Sequence, residues 1–505
     1  MQRICVVGTG YVGLVTGTCL AELGNDVSCV DVVAEKIARL RAGELPIYEP
    51  GLDALVQRNT AAGRLRFTTS YAEAMPDAEL IFIAVNTPTL PGGMGVDMRF
   101  VEAVARSVAE HLAHDVIIIN KSTMPVGSGE HVAAIVRKHL AHAGINVAVV
   151  ANPEFLREGS AVHDFLHPDR IVLGAVDRAA AGRVARLYLP LRAPIMLTDL
   201  HTAEMIKYAS NAFLATKISF INEVARICDL VGADVREVAA GMGHDRRIGP
   251  AFLDAGLGYG GSCLSKDLSA LAHMAQACGL RPHLLDAVMR VNTDQRHLAV
   301  EHLASALGKL GQGDLRGKRV AVLGLAFKDN TDDIRDAPAL DIITWLIEAG
   351  VAQVRAYDPR AVEAVRRMLP ADWPVTYCAD EYDAAAGCEG LIVVADWKRF
   401  RDLSAARLRE AMRGEHPVIV DGRNLFDPDQ MWEAGFSYIG IGRGGVGRVR
   451  STVPATVPAD TRAPGGTVVV PVPQPQELPS TLAPVAALSA LAPVSSASPA
   501  ESAAS

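Results

Sequence analysis

One cysteine, Cys263, stands in a sequence that suits covalent chemistry. It follows the glycines of Gly-Tyr-Gly-Gly-Ser-Cys, and a helix is predicted to begin directly after it. Glycines leave the backbone open to a ligand, and a helix N-terminus lowers the pKa of a thiol and favours the thiolate. Lys266 adds positive charge nearby. The pattern predicts that Cys263 is a nucleophile. The cysteines nearest the N-terminus are expected to be buried and inert: Cys5, Cys19 and Cys29.

A lysine and an asparagine four residues apart, Lys207 and Asn211, are a second candidate for catalysis. At that spacing both side chains lie on one face of a helix. An ammonium and a carboxamide that point the same way can stabilise a developing oxyanion. A solvated polar face is the alternative interpretation. Apolar neighbours nevertheless predict a largely buried helix, and a buried lysine needs a reason. These neighbours are Met205, Ile206, Ala209, Ala212 and Phe213.

Two carboxylates lie in a segment that follows an apolar, strand-like run. The segment is residues 152–159, and it contains Glu154 and Glu158. Either side chain could bind a ligand or act as a general base. Taken alone the segment is ambiguous, because pairs of surface glutamates are common.

The first glycines of the chain form a dinucleotide-binding pattern. Gly8-Thr9-Gly10-Tyr11-Val12-Gly13 follows a predicted strand and opens a predicted helix. The glycines permit a tight turn, a close approach to a diphosphate and close packing of the helix on the strand. Asp31 ends the second predicted strand, about 20 residues further on. Its carboxylate would bind ribose hydroxyls and repel a 2′-phosphate, so the pattern favours NAD over NADP. The alternative is a glycine-rich turn beside a surface aspartate.

Two further loops, residues 85–89 and 121–125, follow predicted strands and carry polar residues and proline. Ligands bind at the carboxyl ends of strands in an open parallel sheet, so both loops suit a cofactor. Each could equally be an ordinary turn.

The segments around these motifs predict an α/β protein. Early strands are predicted at residues 4–7, 27–30, 80–85, 116–120 and 147–150, with a helix at 11–23. Strand–helix alternation of this kind predicts a parallel sheet covered by helices on both faces. One long helix is predicted at residues 201–232, and a broken helical set runs from 266 to about 310. Strands then return at 319–323, 354–357, 391–394 and 418–420.

This order predicts two Rossmann-like parallel-sheet domains joined by a long central helix and a helical middle domain. The first domain is predicted at residues 1–200, the central domain with the cysteine at 201–310, and the second sheet domain at 311–445. Residues 446–505 are rich in Pro, Ala and Ser and are predicted to be a disordered tail. A short partner-binding element around residues 468–472 is the alternative for part of that tail.

The composition excludes several classes of protein. The 505 residues carry 49 basic and 57 acidic side chains, a formal net charge of −8, without a basic stripe, so nucleic acid is not expected as a partner. No signal peptide and no membrane-length apolar run is evident, so no membrane partner is expected. The eight cysteines form neither a CxxC pair nor a cluster with histidine, so no metal is expected. We therefore expect a reduced, soluble, cytoplasmic protein.

Taken together, the motifs resemble the UDP-glucose 6-dehydrogenases of the UDP-glucose/GDP-mannose dehydrogenase family. The resemblance rests on the Gly-rich opening, Lys-Ser-Thr-x-Pro-x-Gly, Asn-Pro-Glu-Phe-Leu-Arg-Glu-Gly, Lys207 with Asn211, and Gly-Tyr-Gly-Gly-Ser-Cys-x-x-Lys-Asp. Residues 324–328 and 421–423 add to it, and it covers about residues 1–445. Relatives that act on GDP-mannose or on UDP-N-acetylmannosamine share much of the pattern. Residues 47–52 and the Gly-Tyr-Gly-Gly form favour the UDP-glucose branch.

The resemblance implies a four-electron oxidation of UDP-glucose to UDP-glucuronate at C6 of the sugar, with two NAD. The first oxidation gives an aldehyde, which cannot readily donate a second hydride until a nucleophile makes it tetrahedral. The thiolate of Cys263 would do this as a thiohemiacetal. The second oxidation leaves a thioester, which water hydrolyses. A hydroxyl nucleophile would give a less labile ester.

The resemblance also assigns roles to the other catalytic candidates. Lys207 and Asn211 would stabilise the oxyanion. Glu154 would act as the base for thioester hydrolysis, through a water held by Thr123. Asp267 would position that water or aid proton transfer.

Binding roles follow from the same resemblance. Residues expected at the cofactor are Gly8, Gly10, Tyr11, Val12, Gly13, Asp31, Lys36, Thr87, Thr123, Glu158, Lys266 and Arg335. Residues expected at the nucleotide sugar are Glu154, Phe155, Leu156, Arg157, Glu158, Lys207, Asn211, Arg247, Phe252, Leu253, Gly260, Lys328 and Arg423. The residues of this second group that lie in the C-terminal sheet domain make it the domain that binds the UDP-sugar.

Some features bear on assembly and on the alternatives. Arg247 resembles a residue that contacts substrate across a subunit interface, so a homodimer or higher homo-oligomer through the central helix is expected. Ser265 stands where many members carry Pro or Gln, and Asp254 stands where some carry Lys. A catalytically inactive NAD-binding regulator is the non-enzyme alternative. The simultaneous presence of all the catalytic candidates argues against it.

Overall fold

Short apolar runs that alternate with helices form an eight-stranded sheet in the first part of the chain. The structure is a computed structural model that describes residues 1–90, 95–307 and 314–444. The strand order is β3-β2-β1-β4-β5-β6-β7-β8. The strands are β1 (Arg3–Val7), β2 (Asp26–Val30), β3 (Leu65–Thr68), β4 (Leu80–Ile83), β5 (Val116–Asn120), β6 (Val147–Ala151), β7 (Ile171–Ala175) and β8 (Ile195–Thr198).

Helices cover this sheet, as expected for strands that are buried on both faces. Strands β4 and β5 consist wholly of buried residues. The helices are α1 (Tyr11–Glu22), α2 (Ala34–Arg41), α3 (Leu52–Ala61), α4 (Tyr71–Ala74), α5 (Arg99–His111), α6 (Ser128–His139), α7 (Ala161–Leu166) and α8 (Arg178–Tyr188). A single 3₁₀ turn, Leu189–Leu191, follows α8.

The sequence did not predict all of this sheet. Strand β6 pairs with β7 in the antiparallel sense, whereas a parallel sheet was predicted. Strands β3, β7 and β8 were not predicted, and β8 carries exposed or half-buried residues throughout, so its pattern lacks a buried run. The predicted strands and the first helix match the structure to within one or two residues.

A helix of 32 residues, α9 (Leu200–Val231), leaves this sheet. Asp199 caps its N-terminus by accepting from Thr202 N, and Gly232 ends it in a left-handed conformation. One face packs on β7 and on two later helices, α11 (Leu264–Ala277) and α12 (His283–Leu307). The short helix α10 (Val235–Gly243) precedes them.

The prediction that α9 is largely buried was wrong for one of its faces. Met205 and Phe213 are 40% and 65% exposed, and Ala209 is exposed as well. Lys207 is nevertheless only 3% exposed, because it lies on the opposite face, against the first sheet and α11. The burial of Lys207 therefore does not come from the apolar neighbours that the sequence suggested.

A second, fully parallel sheet of six strands follows in the order β11-β10-β9-β12-β13-β14. Its strands are β9 (Arg319–Leu323), β10 (Gln353–Tyr357), β11 (Val375–Tyr377), β12 (Gly390–Val393), β13 (Val418–Asp421) and β14 (Ser437–Gly440). Its helices are α13 (Pro338–Glu348), α14 (Val362–Met368), α15 (Glu381–Ala385), α16 (Lys398–Arg401), α17 (Ala405–Ala411) and α18 (Pro428–Glu433). The sequence did not predict β11 and β14.

The predicted fold class is confirmed: two Rossmann-like sheet domains flank a helical middle. We propose that domain boundaries fall near residues 200 and 310, where α9 begins and α12 has ended. The boundary near 445 and the tail predicted at 446–505, with its alternative element at 468–472, lie outside the described residues. None of the described helices is both long enough and apolar enough to cross a membrane.

Candidate active site

Cys263 lies at the start of α11, where it is the N-cap residue of the helix. Its backbone carbonyl accepts from Asp267 N at 2.9 Å, and its Sγ lies 3.6 Å from Ser262 Oγ. Two residues earlier in the loop, Gly261 donates its N–H to Arg335 O at 3.0 Å. The thiol therefore lies where the central helices meet a loop of the second sheet domain.

The loop that carries the cysteine is clamped from α12. The side chain of Asn292 accepts from Tyr259 N at 2.8 Å and donates to Tyr259 O at 3.1 Å. Arg296 donates to the same carbonyl at 2.7 Å and pairs with Asp336 at 2.8 Å. Gly260 lies so close to Asp336 that a Cβ there would come within 2.2 Å of its carbonyl oxygen. The glycine is thus required by packing against this loop as well as by any ligand.

Asn292 and Arg296 were not predicted as site residues. They hold the backbone before Cys263 in place, so they act on the site through the loop. Their spacing of four residues on a helix is the same signal that singled out Lys207 and Asn211. Sequence reasoning could have found them by applying that criterion to α12.

Lys207 and Glu154 form a buried ion pair. Lys207 Nζ lies 2.9 Å from Glu154 Oε1, and the two side chains are 4% and 5% exposed. Glu154 Oε2 accepts from Leu156 N at 2.6 Å. Burial raises the pKa of Glu154, but Lys207 and these hydrogen bonds outweigh burial and hold it below its usual range. Glu154 is therefore a carboxylate at neutral pH.

A second buried lysine, Lys121, supports that charge. Its Nζ donates to Asn152 Oδ1 at 3.1 Å, and Tyr188 OH donates to the same oxygen at 2.5 Å. Burial lowers the pKa of Lys121 to about 8, although Glu154 opposes the change. The sequence placed Lys121 only in a candidate loop; a lysine directly after a strand of buried residues was the signal to follow.

Asn211 and Asp267 meet on the other side of the thiol. Asn211 Nδ2 donates to Asp267 Oδ2 at 2.6 Å, and both side chains are buried. Lys266 Nζ donates to Asp267 Oδ1 at 2.5 Å. Lys266 therefore neutralises Asp267, although the sequence suggested that it would act on the cysteine.

The protonation of Cys263 differs from the expectation based on its helix N-terminus. Burial is the largest effect and raises the pKa of the thiol, and Glu154 and Asp267 raise it further. Lys207 is the cation that opposes them. The expected lowering of the pKa is not found, so Cys263 is a thiol at neutral pH in this arrangement. Its deprotonation must accompany its attack on a carbonyl carbon.

The glycine-rich turn fits a dinucleotide. Gly13 cannot carry a side chain, since a Cβ there would come within 2.0 Å of Gly8 O. Gly10 is the N-cap of α1, and no side chain caps the helix there. Tyr11 OH accepts from Gly159 N at 2.8 Å and so ties this turn to the loop that carries the glutamates. Val12 is half-buried in the same turn.

Asp31 is held as an anion at the end of β2. Its Oδ2 accepts from Thr9 N, Thr9 Oγ1 and Lys36 Nζ at 2.9, 2.8 and 2.9 Å. Burial raises its pKa, but these bonds and one from Val33 N outweigh burial and keep the pKa below its usual range. An ionised carboxylate here suits the ribose hydroxyls of NAD and disfavours a 2′-phosphate.

Glu158 provides a second fit to a cofactor. Its Oε1 accepts from Ser262 Oγ at 3.2 Å and from Arg335 at 3.3 Å, so it joins both sheet domains beside the cysteine loop. Its Oε2 is buried without a hydrogen-bond partner among the described residues, which leaves an acceptor for a ligand. Burial and the charge of Asp333 raise the pKa of Glu158 to about 8.

The loops after β4 and β5 are joined as a cofactor-facing edge requires. Thr87 Oγ1 donates to Thr123 O at 2.8 Å, and Ser122 Oγ donates to Val85 O at 2.6 Å. Thr123 is half-buried and lines a small cavity with Lys207. It lies near the ion pair, as the expected role beside Glu154 requires.

The expected sugar-binding residues form two groups. Phe155 carries the guanidinium of Arg170 at 3.7 Å from its ring centroid, with Lys207 Nζ at 5.4 Å. Leu156 is held through its backbone by Glu154. Arg157 is bound to Asp164 at 2.6 Å and is 59% exposed, so it lies at the edge of the site.

The second group lies toward the second sheet domain. Phe252 has φ +64°, a strained conformation for a bulky side chain, and Leu253 beside it is buried. Arg423 Nε donates to Val394 O at 2.7 Å, and burial lowers its pKa. Burial also lowers the pKa of Lys328, which lies near enough to Glu158 to interact with its charge. These cations suit the phosphates of a nucleotide sugar.

Arg247 is the one expected substrate residue that a single chain does not bring to the site. Its side chain is 88% exposed and pairs with Asp245 at 2.6 Å. Among the described residues, no three His, Cys, Asp or Glu side chains are grouped as metal ligands.

Asp31→Asn is expected to raise the KM for NAD about tenfold, because a charge-assisted hydrogen bond is worth roughly 1.5–3 kcal/mol. The KM for NADP should change less, so the preference for NAD should shrink. The measurement is initial rate against each dinucleotide. Asp26→Asn, at the other end of β2, is the matched control, and an unchanged NAD/NADP ratio in Asp31→Asn would contradict the role.

Comparison with known proteins places this geometry in one family. Residues 2–192, 201–294 and 321–428 match the NAD binding, central and UDP binding domains of the UDP-glucose/GDP-mannose dehydrogenase family. A UDP-glucose 6-dehydrogenase of Bacillus subtilis (strain 168) is 45% identical over 92% of this chain and 97% of its own length. One from Pseudomonas aeruginosa PAO1 is 46% identical over 89% of this chain and 100% of its own. A UDP-glucose dehydrogenase structure from Pyrobaculum islandicum superposes with a TM-score of 0.80 at 40% identity, covering 88% of this chain and 98% of that one. The chain therefore belongs to the UDP-glucose/GDP-mannose dehydrogenase family and is an NAD-dependent nucleotide-sugar dehydrogenase.

Proposed function

We propose that the chain oxidises UDP-glucose to UDP-glucuronate through a covalent adduct on Cys263. The observation that carries the proposal is the convergence of five side chains from three separate parts of the sequence. Glu154 comes from the loop after β6, Lys207 and Asn211 from α9, and Cys263 and Asp267 from the start of α11. Such a set has both the nucleophile and the polar groups that a two-step oxidation needs.

The first oxidation requires an alkoxide at C6 of the sugar. NAD accepts a hydride in each of the two oxidations. Lys207 can bind the alkoxide, because an ammonium has three N–H donors and Glu154 takes one of them. Asn211 lies one helical turn further along α9, so its amide can turn from Asp267 to the same oxygen.

The second oxidation needs a tetrahedral carbon. The Sγ of Cys263 forms a bond to C6 of the aldehyde, the thiol proton leaves, and the oxygen becomes the thiohemiacetal hydroxyl. Because the pKa of the thiol is raised in the resting site, a carboxylate must accept that proton as the bond forms. Glu154 and Asp267 are the carboxylates whose charges act on the thiol.

Hydrolysis of the thioester completes the cycle. Glu154 takes a proton from the attacking water, the carbon–sulfur bond breaks, and Cys263 regains a proton. Asp267 holds the opposite side of the site through Asn211 and Lys266. Thr123, joined to Thr87, lies where it could hold the water.

UDP-glucose is favoured over other nucleotide sugars by the relatives that resemble the whole chain. The B. subtilis and P. aeruginosa proteins are named as UDP-glucose 6-dehydrogenases and cover the family domains from end to end. GDP-mannose and UDP-N-acetylmannosamine are the alternatives.

A substrate screen with stoichiometry tests the proposal. We expect two NADH per UDP-glucuronate from UDP-glucose, with kcat/KM at least about tenfold higher than for GDP-mannose or UDP-N-acetylmannosamine. Turnover of GDP-mannose alone, or one NADH per sugar, would overturn it.

We further propose that the functional unit is a homodimer through α9. Phe213, Phe220 and Ile227 recur every seven residues and are 65%, 49% and 53% exposed. An exposed apolar stripe of this kind marks a protein–protein contact. Lys217 Nζ donates to Ile248 O at 3.1 Å, so the loop with Arg247 is attached to the same helix. A second copy on this stripe would let Arg247 reach the partner's sugar.

Phe213→Glu combined with Phe220→Glu is expected to give a particle of one chain, 53.5 kDa, in light scattering. Burying two carboxylates in an apolar contact is unfavourable. Activity should fall with assembly, because Arg247 loses its place. Met368→Glu, which alters an apolar residue 62% exposed on α14, is the control. A double variant that assembles like the unaltered chain, or an unaltered chain that is monomeric, would contradict the proposal.

We propose a cytoplasmic location on the chemistry of the thiols. All eight cysteines are free, and six of them are buried. Unpaired thiols suit a reducing compartment.

A further inference from the structure

A small cavity lies beside Lys207 on the flank away from the thiol. It offers about 10 Å³ to the centre of a water molecule, which is enough for one. Its lining includes Asn120, Thr123, Glu204 and Lys207, and it includes neither Cys263 nor the carboxylates that act on the thiol. A water here would therefore differ from the one that hydrolyses the thioester.

Asn120 supplies an amide without a partner. It ends β5, is only 4% exposed, and makes no side-chain hydrogen bond through Oδ1 or Nδ2 to any described residue. A buried amide left in this state costs free energy. Because Asn120 lines the cavity, a water in the cavity would satisfy it.

Glu204 supplies an acceptor on the same cavity. It is 7% exposed and lies one helical turn before Lys207 on α9. Its two oxygens accept from Gly127 N at 2.7 Å and Gly129 N at 2.8 Å, at the start of α6. A carboxylate oxygen has two acceptor positions, so each can also accept from a water.

We propose that one ordered water binds Asn120, Glu204 and Lys207, and that Glu204 acts through it as a positioning residue for the Lys207 ammonium. Lys207 has three N–H donors. Glu154 takes one, the sugar oxygen would take the second, and the water accepts the third. The water in turn donates to Glu204. This inference rests on the proposed role of Lys207 at the sugar and adds the group that fixes its direction.

The arrangement makes the position of Lys207 depend on pH. Burial raises the pKa of Glu204 to about 7, and the nearby charge of Glu130 raises it further while His201 lowers it. The charged groups that face Glu204 are Glu130 from α6 and His201 and Lys207 from its own helix. Above the pKa the carboxylate accepts from the water; below it the carboxyl donates, and the water must turn. kcat should therefore fall as the pH falls through about 7.

The first test is catalytic and uses the full chain. The unaltered enzyme is expected to lose about threefold or more in kcat between about pH 7.5 and about pH 6, with KM for UDP-glucose nearly constant. Glu204→Gln should lower kcat at the upper end of this range and abolish this acid limb. Glu130→Gln and His201→Gln remove exposed neighbours and should keep the limb. A limb that persists in Glu204→Gln, or that disappears in His201→Gln, would overturn the role of Glu204.

The second test does not need activity, so it separates this inference from the proposed function. A crystal structure of the full chain should show a water within hydrogen-bond distance of Asn120 and Glu204. Asn120→Leu, close in volume, should lose that water and lower Tm by about 1–2 °C, because the other water partners lose a bond. A dry cavity, or a rise in Tm in Asn120→Leu, would overturn the water site.

Discussion

Replacing Cys263 by Ser is expected to reduce formation of UDP-glucuronate by about 10³-fold or more while NAD binding persists. A serine hydroxyl is a weaker nucleophile, and any ester that it formed would hydrolyse more slowly than a thioester. The fold should be little affected, since the thiol makes only one side-chain contact of hydrogen-bonding type among the described residues, to Ser262. The aldehyde level is then the furthest that the sugar can be oxidised at a useful rate.

The measurement is UDP-glucuronate by chromatography and mass spectrometry, alongside NADH and a separate titration of NAD. Cys278→Ser is the matched control, because Cys278 follows the other end of α11 and is exposed. It should keep the activity of the unaltered chain. Acid formation by Cys263→Ser at the rate of the unaltered chain would show that no covalent adduct is needed.

The parts of the fold that the sequence predicted are those with strong local patterns. β5 reads Val-Ile-Ile-Ile-Asn, and every one of these residues is buried. β3 is four residues long and contains an exposed Arg66, so its pattern is weak. The antiparallel entry of β7 depends on how the chain crosses after β6, which no local pattern encodes. Element type was therefore predictable, whereas edge strands and direction were not.

The site shows the same division between residue identity and environment. The spacing of Lys207 and Asn211 predicted a shared face, and the structure places both near the thiol. Their resting partners, Glu154 and Asp267, come from segments 53 and 56 positions away, so the pairing was not readable from spacing. The raised pKa of Cys263 follows from this assembly of carboxylates and burial, which outweigh the local effect of a helix N-terminus.

Glu154→Gln is expected to trap the enzyme as a thioester. The amide cannot take a proton from water, so hydrolysis should slow by about 10²–10⁴-fold, the usual contribution of a general base. Both oxidations precede this step, so each active site should release a rapid burst of two NADH and then turn over slowly. The substituted side chain should still fit the fold, because its amide oxygen can accept from Lys207 where the carboxylate did.

Removing that charge has a cost, since breaking a buried ion pair on one side is destabilising by about 3–5 kcal/mol when the other charge remains. Lys207 keeps the nearby charge of Asp267, and the pKa of Lys207, which Glu154 holds up, should fall. A modest loss of Tm is therefore expected together with the burst. Intact-protein mass spectrometry should detect one UDP-glucuronyl group per chain after the burst, and hydroxylamine should release it. The double variant Glu154→Gln with Cys263→Ser should carry no adduct. Steady turnover of Glu154→Gln without an adduct would assign hydrolysis to another base, for which Asp267 is the candidate, since its charge also raises the pKa of the thiol.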